Sequence, residues 1–245
     1  MNLSNQLTII IPCKNEKQII QKTLDLLNYQ RGIDRVQVIV CDSSNDGETK
    51  LDLEDRLTSE TDRFDLHLTS GGLPAIARNI GFKAMSSKNN KLVKTPHVLF
   101  MDSDVFLIDP KVILRSFLRI HKQQLDLVTV KFRSDNGNFN YVYKTFDILQ
   151  ILSKWSTPFC LGGFMLVRTE TFERIGGFDE DIKIAEDYYF SKQIDPSKFG
   201  RINNIAFTPP RRFENKGLGY MIKLFLGSFF NHKNKSYFTK DQDYW

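Results

Sequence analysis

His97-Val98-Leu99-Phe100-Met101-Asp102-Ser103-Asp104 drives an apolar run straight into two carboxylates. The run reads as a buried strand, and the same form recurs upstream. Leu7-Thr8-Ile9-Ile10-Ile11, closed by Pro12, is β-branched and apolar throughout, the pattern of a strand covered on both faces. Val36-Gln37-Val38-Ile39-Val40 is a second strand, ending in the turn-rich loop Cys41-Asp42-Ser43-Ser44-Asn45-Asp46-Gly47. Phe64-Asp65-Leu66-His67-Leu68 alternates as a third and leads to Gly71-Gly72. Between the strands lie helical stripes. One is Ile19, Ile20, Thr23, Leu24 and Leu27; the other, opened by Pro74, is Leu73, Ile76, Ala77, Ile80 and Ala84. Strands alternating with helices imply an α/β fold, a mostly parallel sheet with helices on both faces. Ligands of such sheets bind beyond the carboxyl ends of the strands, where loops 12–16, 42–47 and 102–104 converge.

The second half is less regular. Leu127-Val128-Thr129-Val130 reads as a strand, and 141–154 as an amphipathic helix burying Val142, Phe146, Leu149 and Leu152. Gly162-Gly163 opens a strand at Phe164–Val167, a short helix around Phe172 stops at Gly176-Gly177, and Glu186-Asp187 begin another. No repeat or linker is evident, so the expected organisation is one domain over 5–210, with halves 5–105 and 106–210, followed by a basic, aromatic tail over 211–245.

The chain has 245 residues, of which 41 % are apolar and 26 % charged, within the range of ordinary globular proteins. No apolar stretch reaches the eighteen or so residues a membrane span needs, and the N-terminus lacks a signal-peptide pattern. Cys13, Cys41 and Cys160 show no metal-ligand spacing and read as reduced thiols of a cytoplasmic protein. The net charge of +5 is concentrated at the C-terminal end: residues 196–245 carry nine Lys or Arg against three acids. The remainder is close to neutral, which argues against a specific nucleic-acid binder and for an acidic partner of the tail. Leu218–Phe230 is rich in large apolar residues and too short to span a bilayer. It reads either as a helix lying in a membrane interface or as one packed back on the domain.

Asp102 and Asp104, two residues apart at a strand end, would point to one side of an extended chain. Paired carboxylates suit a hard divalent cation, Mg²⁺ or Mn²⁺, that holds a diphosphate; two solvated aspartates are the plain alternative. Asp42 is placed to accept from a base or ribose, or to cap its own loop as an Asx turn. Arg78 could pair with phosphate oxygens or lie on a helix surface. Glu186-Asp187 reads as a base-bearing pair or as helix-start acids.

Taken in order, these pieces resemble a family 2 glycosyltransferase of the GT-A fold, over about Leu7 to Phe213. The matching segments are Ile-Ile-Ile-Pro-Cys-Lys-Asn-Glu (9–16), Val-Cys-Asp-Ser-Ser-Asn-Asp-Gly (40–47), Ala-Arg-Asn-Ile-Gly (77–81) and Phe-Met-Asp-Ser-Asp (100–104). Gly-Gly-Phe-Met-Leu-Val-Arg (162–168), Gly-Gly-Phe-Asp-Glu (176–180) and Ala-Glu-Asp (185–187) complete the set. The resemblance implies a Rossmann-like GT-A sheet and inverting transfer of a sugar from a nucleotide-sugar donor to a glycan or lipid-linked acceptor. UDP is the expected nucleotide because it is the commonest in the family. By the same resemblance Pro12, Asn15, Glu16, Asp42, Arg78, Asp102 and Arg212 would bind donor. Asp102 and Asp104 would hold the cation, Gly162, Gly163 and Glu186 would form the acceptor side, and Asp187 would be the general base. The late His that many GT-A enzymes add to the metal has a weak counterpart here in His232. Arg211-Arg212-Phe213 stands near where relatives place basic residues over the site. Peripheral contact with the inner face of a membrane is the further expectation for the tail.

Three other readings compete. An apolar strand followed by Asp-x-Asp also resembles haloacid-dehalogenase-like phosphohydrolases, but there the motif lies near the N-terminus, and 101 residues precede it here. A sugar nucleotidyltransferase would need a Gly-rich, Arg-bearing loop after the first strand, where Lys14-Asn15-Glu16 stands. An inactive GT-A protein that binds membrane or nucleic acid through its tail would have no reason to keep Asp42, Asp104 and Asp187 together.

Overall fold

The computed structural model describes residues 1–59, 61–86, 92–231 and 233–240. In chain order the elements are β1 (Leu7–Cys13), α1 (Lys17–Asn28), β2 (Gln37–Asp42), α2 (Glu48–Ser59), β3 (Asp65–Ser70), α3 (Pro74–Ser86) and β4 (His97–Met101). They continue as α4 (Val112–Lys122), β5 (Leu127–Ser134), α5 (Asn140–Leu152), β6 (Phe164–Arg168), α6 (Thr169–Ile175), α7 (Glu186–Ser191) and β7 (Phe199–Thr208). Helices α8 (Arg211–Lys216), α9 (Leu218–Phe230) and α10 (Lys235–Phe238) follow. The strands form a seven-stranded sheet in the order β3-β2-β1-β4-β6-β5-β7.

The apolar strands take the centre because only there are both faces covered. Ile9 and Ile11 fall in one core layer with Val38, Leu99 and Phe117, whereas Ile10 joins Ile39, Phe100 and Met165 on the other. This is the period-two alternation of a strand, with apolar partners on each side. The first strand does not stop at Pro12, as its sequence suggests, but runs to Cys13. Cys13 accepts from Ser43 on the β2 side, so Pro12 faces β4, and the ladder to β4 has already ended at Ile10. A missing N–H therefore costs nothing at that position. Helix α3 crosses β1 and β2 through Gly81, where a Cβ would come within 2.5 Å of the Ile10 side chain and 2.8 Å of the Cys41 sulfur.

Strands β1, β2, β3 and β4 are mutually parallel. Strand β6 runs antiparallel to β4, with Phe164 opposite Met101. The exits of β1, β2 and β4 and the entry to β6 thus share one edge of the sheet, which brings Gly162-Gly163 beside Asp102.

Helix α5 differs from its sequence reading. Tyr143, Phe146 and Gln150 are buried, while Leu149 and Leu152 are about half exposed. The helix is apolar nearly all round, so periodicity does not single out the buried face. In the tail, α9 buries Met221, Leu224 and Ser228, and Phe225 packs on Phe146 with ring centroids 4.6 Å apart. Among the described residues no helix is long and apolar enough to cross a membrane.

Candidate active site

The loops after β1 and β2 are tied together. Asn15 sits in the left-handed region at φ 53°. Its N–H donates to Ser44 Oγ at 2.7 Å and its side-chain amide donates to Asn45 at 2.9 Å, while Asn45 N–H donates back at 3.0 Å. Asp42 Oδ1 accepts from Ser44 N–H at 3.0 Å and Ser44 Oγ–H at 2.5 Å, the Asx turn of the plainer reading. Asp42 still stands at the strand end, half-buried, beside the Asn15 loop.

Beyond β4 the chain turns at once. Ser103 is buried and its carbonyl accepts from Thr23 of α1 at 2.6 Å, while Val105 N–H donates to Asp102 O at 3.2 Å. The triplet is therefore not extended. Asp102 and Asp104 reach different guanidinium groups rather than pointing in parallel. Arg78, 1 % exposed, donates to Asp102 Oδ1 at 2.7 Å and to Glu186 Oε1 at 2.6 Å. Its burial, which sequence could not show, comes from its place on α3 under the loop that enters β6. Burial works against its charge, but Asp102 and Glu186 more than compensate and raise the guanidinium above its usual range. The next residue, Asn79, fixes the Gly-Gly-Phe-Asp-Glu loop: it donates to Phe178 O at 2.8 Å and Glu180 Oε1 at 2.9 Å and accepts from Phe178 N–H at 3.0 Å. One turn of α3 thus links the β4 exit to the segment preceding α7.

Asp187 lies beside this pair. Its Oδ2 accepts from Gly162 N–H at 2.6 Å and its Oδ1 from Tyr188 N–H at 2.7 Å. Burial first, and the neighbouring Glu186 charge second, raise its carboxyl above the ordinary range; Arg78 and the two N–H groups oppose this. A Cβ on Gly162 would stand 3.0 Å from Arg78 Nη2 and 3.2 Å from Asp187 Oδ2. Glycine is what lets the β6 entry touch the cluster. Gly163 faces elsewhere, toward the Phe132 ring and Val105 at 2.9 and 3.0 Å.

A second guanidinium closes the site. Arg211, at the start of α8, donates to Glu16 at 2.7 and 3.1 Å and to Asp104 Oδ2 at 2.8 Å. Burial, then Asp102, raise the Asp104 carboxyl, and Arg211 and Arg212 pull it back. Burial also raises Glu16, again opposed by Arg211. Arg212 is exposed, but its charge acts on both acids. The adjacent Arg-Arg pair was visible in the sequence; that the first of them bridges the β1 and β4 loops was not. Phe213 anchors α8 by stacking on Phe139 at 5.3 Å and meeting Tyr143 edge-on at 5.7 Å.

Five carboxylates (Glu16, Asp102, Asp104, Glu186, Asp187) thus gather around the guanidiniums of Arg78, Arg211 and Arg212. Among the described residues no three His, Cys, Asp or Glu side chains form a ready metal cage, and His232 lies outside those residues. The excess negative charge and the oxygen donors of Asp102 and Asp104 fit a hard divalent cation that completes its coordination with phosphate and water.

A mostly parallel sheet with one reversed strand, and an acid-lined site at its carboxyl edge, define a transferase of the GT-A fold. The profile of glycosyl transferase family 2 matches residues 8–176, and the chain belongs to that family. Among solved structures, the mannosyltransferase PcManGT from Pyrobaculum calidifontis in complex with GDP-Man and Mn²⁺ is similar at a TM-score of 0.70 and 19 % identity, over 94 % of this chain and 64 % of that one. S. aureus TarS is similar at 0.61 and 17 % identity, over 92 % of this chain and 40 % of that one. S. aureus TarS 1–349 in complex with UDP-GlcNAc gives 0.56 and 19 % identity, over 84 % and 56 %. The chain spans less than two thirds of each of these. No curated protein matches it.

Proposed function

We propose that the chain transfers a sugar from a nucleotide-sugar donor to an acceptor hydroxyl by a single displacement that inverts the anomeric carbon. The observation that carries this reading is Asp187: a half-buried carboxylate, held by Gly162 N–H, at the same sheet edge as Asp104 and Arg211. Its raised affinity for a proton suits a general base. In the proposed step Asp187 takes the acceptor hydroxyl proton as that oxygen bonds to the anomeric carbon. The bond from that carbon to the diphosphate oxygen breaks, and its electron pair leaves with the nucleoside diphosphate. Arg78 holds Glu186 and Asp102 in place, and Arg211 and Arg212 face the departing diphosphate. Asp104, with Asp102, would hold a Mg²⁺ or Mn²⁺ ion, which when bound offsets charge on the leaving group. Pro12, Asn15, Glu16 and Asp42 would line the nucleoside side and Gly162 the acceptor side, with Glu186 buried behind it on Arg78; Gly163, turned toward Phe132 and Val105, shapes the entry to β6 instead.

A UDP-sugar is the favoured donor. Because the solved relatives hold GDP-Man and UDP-GlcNAc, the test is a panel of UDP- and GDP-sugars with Mn²⁺, read as nucleoside diphosphate release. Release from one donor, abolished by EDTA, is expected. A folded protein that neither binds nor cleaves any nucleotide sugar would overturn the proposal.

A further inference from the structure

Helices α5 and α9 meet through Phe146 and Phe225 and leave an apolar groove of about 230 Å³ between them, lined by Val142, Leu149, Leu218, Ile222 and Leu226. Around the groove the apolar surface continues outward. Ile148 and Leu152 project from α5, and Trp155, in the turn that follows, is 79 % exposed. Ile222 and Leu226 project from α9 one turn apart, and Phe230 is 75 % exposed at its end. Scattered exposed apolar residues need no explanation, but a contiguous two-helix face does.

Charge decides what fits it. Residues 216–240 contain five lysines and no acid, and of these Lys235 is held by Asp179 and Asp181. Lys223 is exposed on α9 one turn from Leu226, and Lys216 and Lys233 flank that helix at its two ends. On α5, exposed Lys144 lies one turn before Ile148, whereas the acid of that helix, Asp147, is bound by Arg133 and Arg201. A second copy docking symmetrically would set lysine against lysine. An apolar face rimmed by lysines and bearing an aromatic at either end matches an anionic bilayer, with side chains among the acyl carbons and ammonium groups at the phosphates. We propose that α5, the turn 153–155 and α9 together seat this protein on an anionic membrane surface without crossing it. The face lies close to the site in the fold: the inward side of α5 packs Tyr143 against Phe213 of α8, and α9 follows directly on α8, which carries Arg211. If the transferase reading holds, acceptors borne at the lipid headgroups are the ones within reach.

Vesicle binding tests the proposal without turnover, so its failure and that of the transferase reading are separable. Of the two tryptophans, Trp245→Phe leaves Trp155 as the sole reporter. The full chain is mixed with phosphatidylcholine vesicles, with or without about a third phosphatidylserine. Expected are binding to the anionic vesicles only, quenching of Trp155 by brominated acyl chains, and an affinity loss of about tenfold or more as added salt shortens the screening length from about 8 Å to about 3 Å. Ile222→Glu with Leu226→Glu should abolish binding, while Leu57→Glu, an exposed leucine on α2, should not. Should the double variant fail to fold, Trp155 quenching in the parent chain decides the matter. Indifference to both vesicle types, binding that leaves Trp155 unquenched, or self-association that shields Trp155 in place of binding would each overturn the proposal.

Discussion

Replacing Arg78 by methionine removes one buried cation and strands two acids. The guanidinium is 1 % exposed and its partners are restricted: the Glu186 side chain is 7 % and the Asp102 side chain 25 % exposed. Breaking a buried pair by deleting one member costs about 3–5 kcal/mol, because the remaining charge keeps its desolvation penalty. Two acids are left here, one nearly fully buried, so the upper part of that range is expected at about pH 7. That is a large share of a total stability of about 5–15 kcal/mol. Arg78→Lys should fall between the two, since an ammonium reaches one acid and cannot fork to both. Urea denaturation of the three proteins at about pH 7 measures this. A loss for Arg78→Met below about 1 kcal/mol would show that these ion pairs do not hold the β4 exit to α7.

Asp187→Asn removes the charge but sets an amide NH₂ against one of the two N–H groups that the carboxylate accepts, so the gain in stability near neutral pH is offset by about 1–3 kcal/mol. A carboxyl whose folded affinity for protons is raised costs stability above that range and ceases to cost as pH falls through it; its turnover should drop by about 10² to 10⁴. In the parent, turnover should fall on the acid side at a pH above that of an ordinary carboxylate, and this limb should be absent from the residual rate of the variant. Asp104→Ala should abolish metal-stimulated turnover and weaken nucleoside diphosphate binding, as EDTA does to the parent; a variant still stimulated by Mn²⁺ would remove Asp104 from the metal. Gly162→Ala, with its Cβ against Arg78 and Asp187, should cut turnover by about tenfold or more. Gly163→Ala, pressing on Phe132 and Val105, should mainly lose about 1–3 kcal/mol in denaturation.

Much of the sheet could be read from the chain because β1, β2 and β4 are apolar on both faces and end in polar loops. Strand β7 could not: Phe-Gly-Arg-Ile-Asn-Asn-Ile-Ala-Phe-Thr has weak strand preference and is held by pairing with β5, which only the fold supplies. Helix α2 is polar, with only Thr49 and Leu53 buried, and carries little periodic signal. Helix α4 did carry one: Val112, Ile113, Ser116, Phe117 and Ile120 are its buried face, and their spacing is helical. The site was legible as motifs but not as pairs. Arg78 meets Glu186 across 108 positions, and Arg211 meets Glu16 across 195. Local spacing has no means of showing such partners.

Ala185, just before the Glu186-Asp187 pair, sits at φ 51°, ψ 42°. For a residue with a side chain that conformation costs about 1–2 kcal/mol, which the surrounding packing must hold in place. Glycine there would remove the cost, and the greater freedom of the unfolded chain would return only about 0.5–1 kcal/mol. Ala185→Gly should therefore melt no earlier than the parent, and yet turn over more slowly, because the hinge that aims both carboxylates would be loose. A laboratory lineage selected for heat resistance alone would be expected to change this position early and become slower as a result.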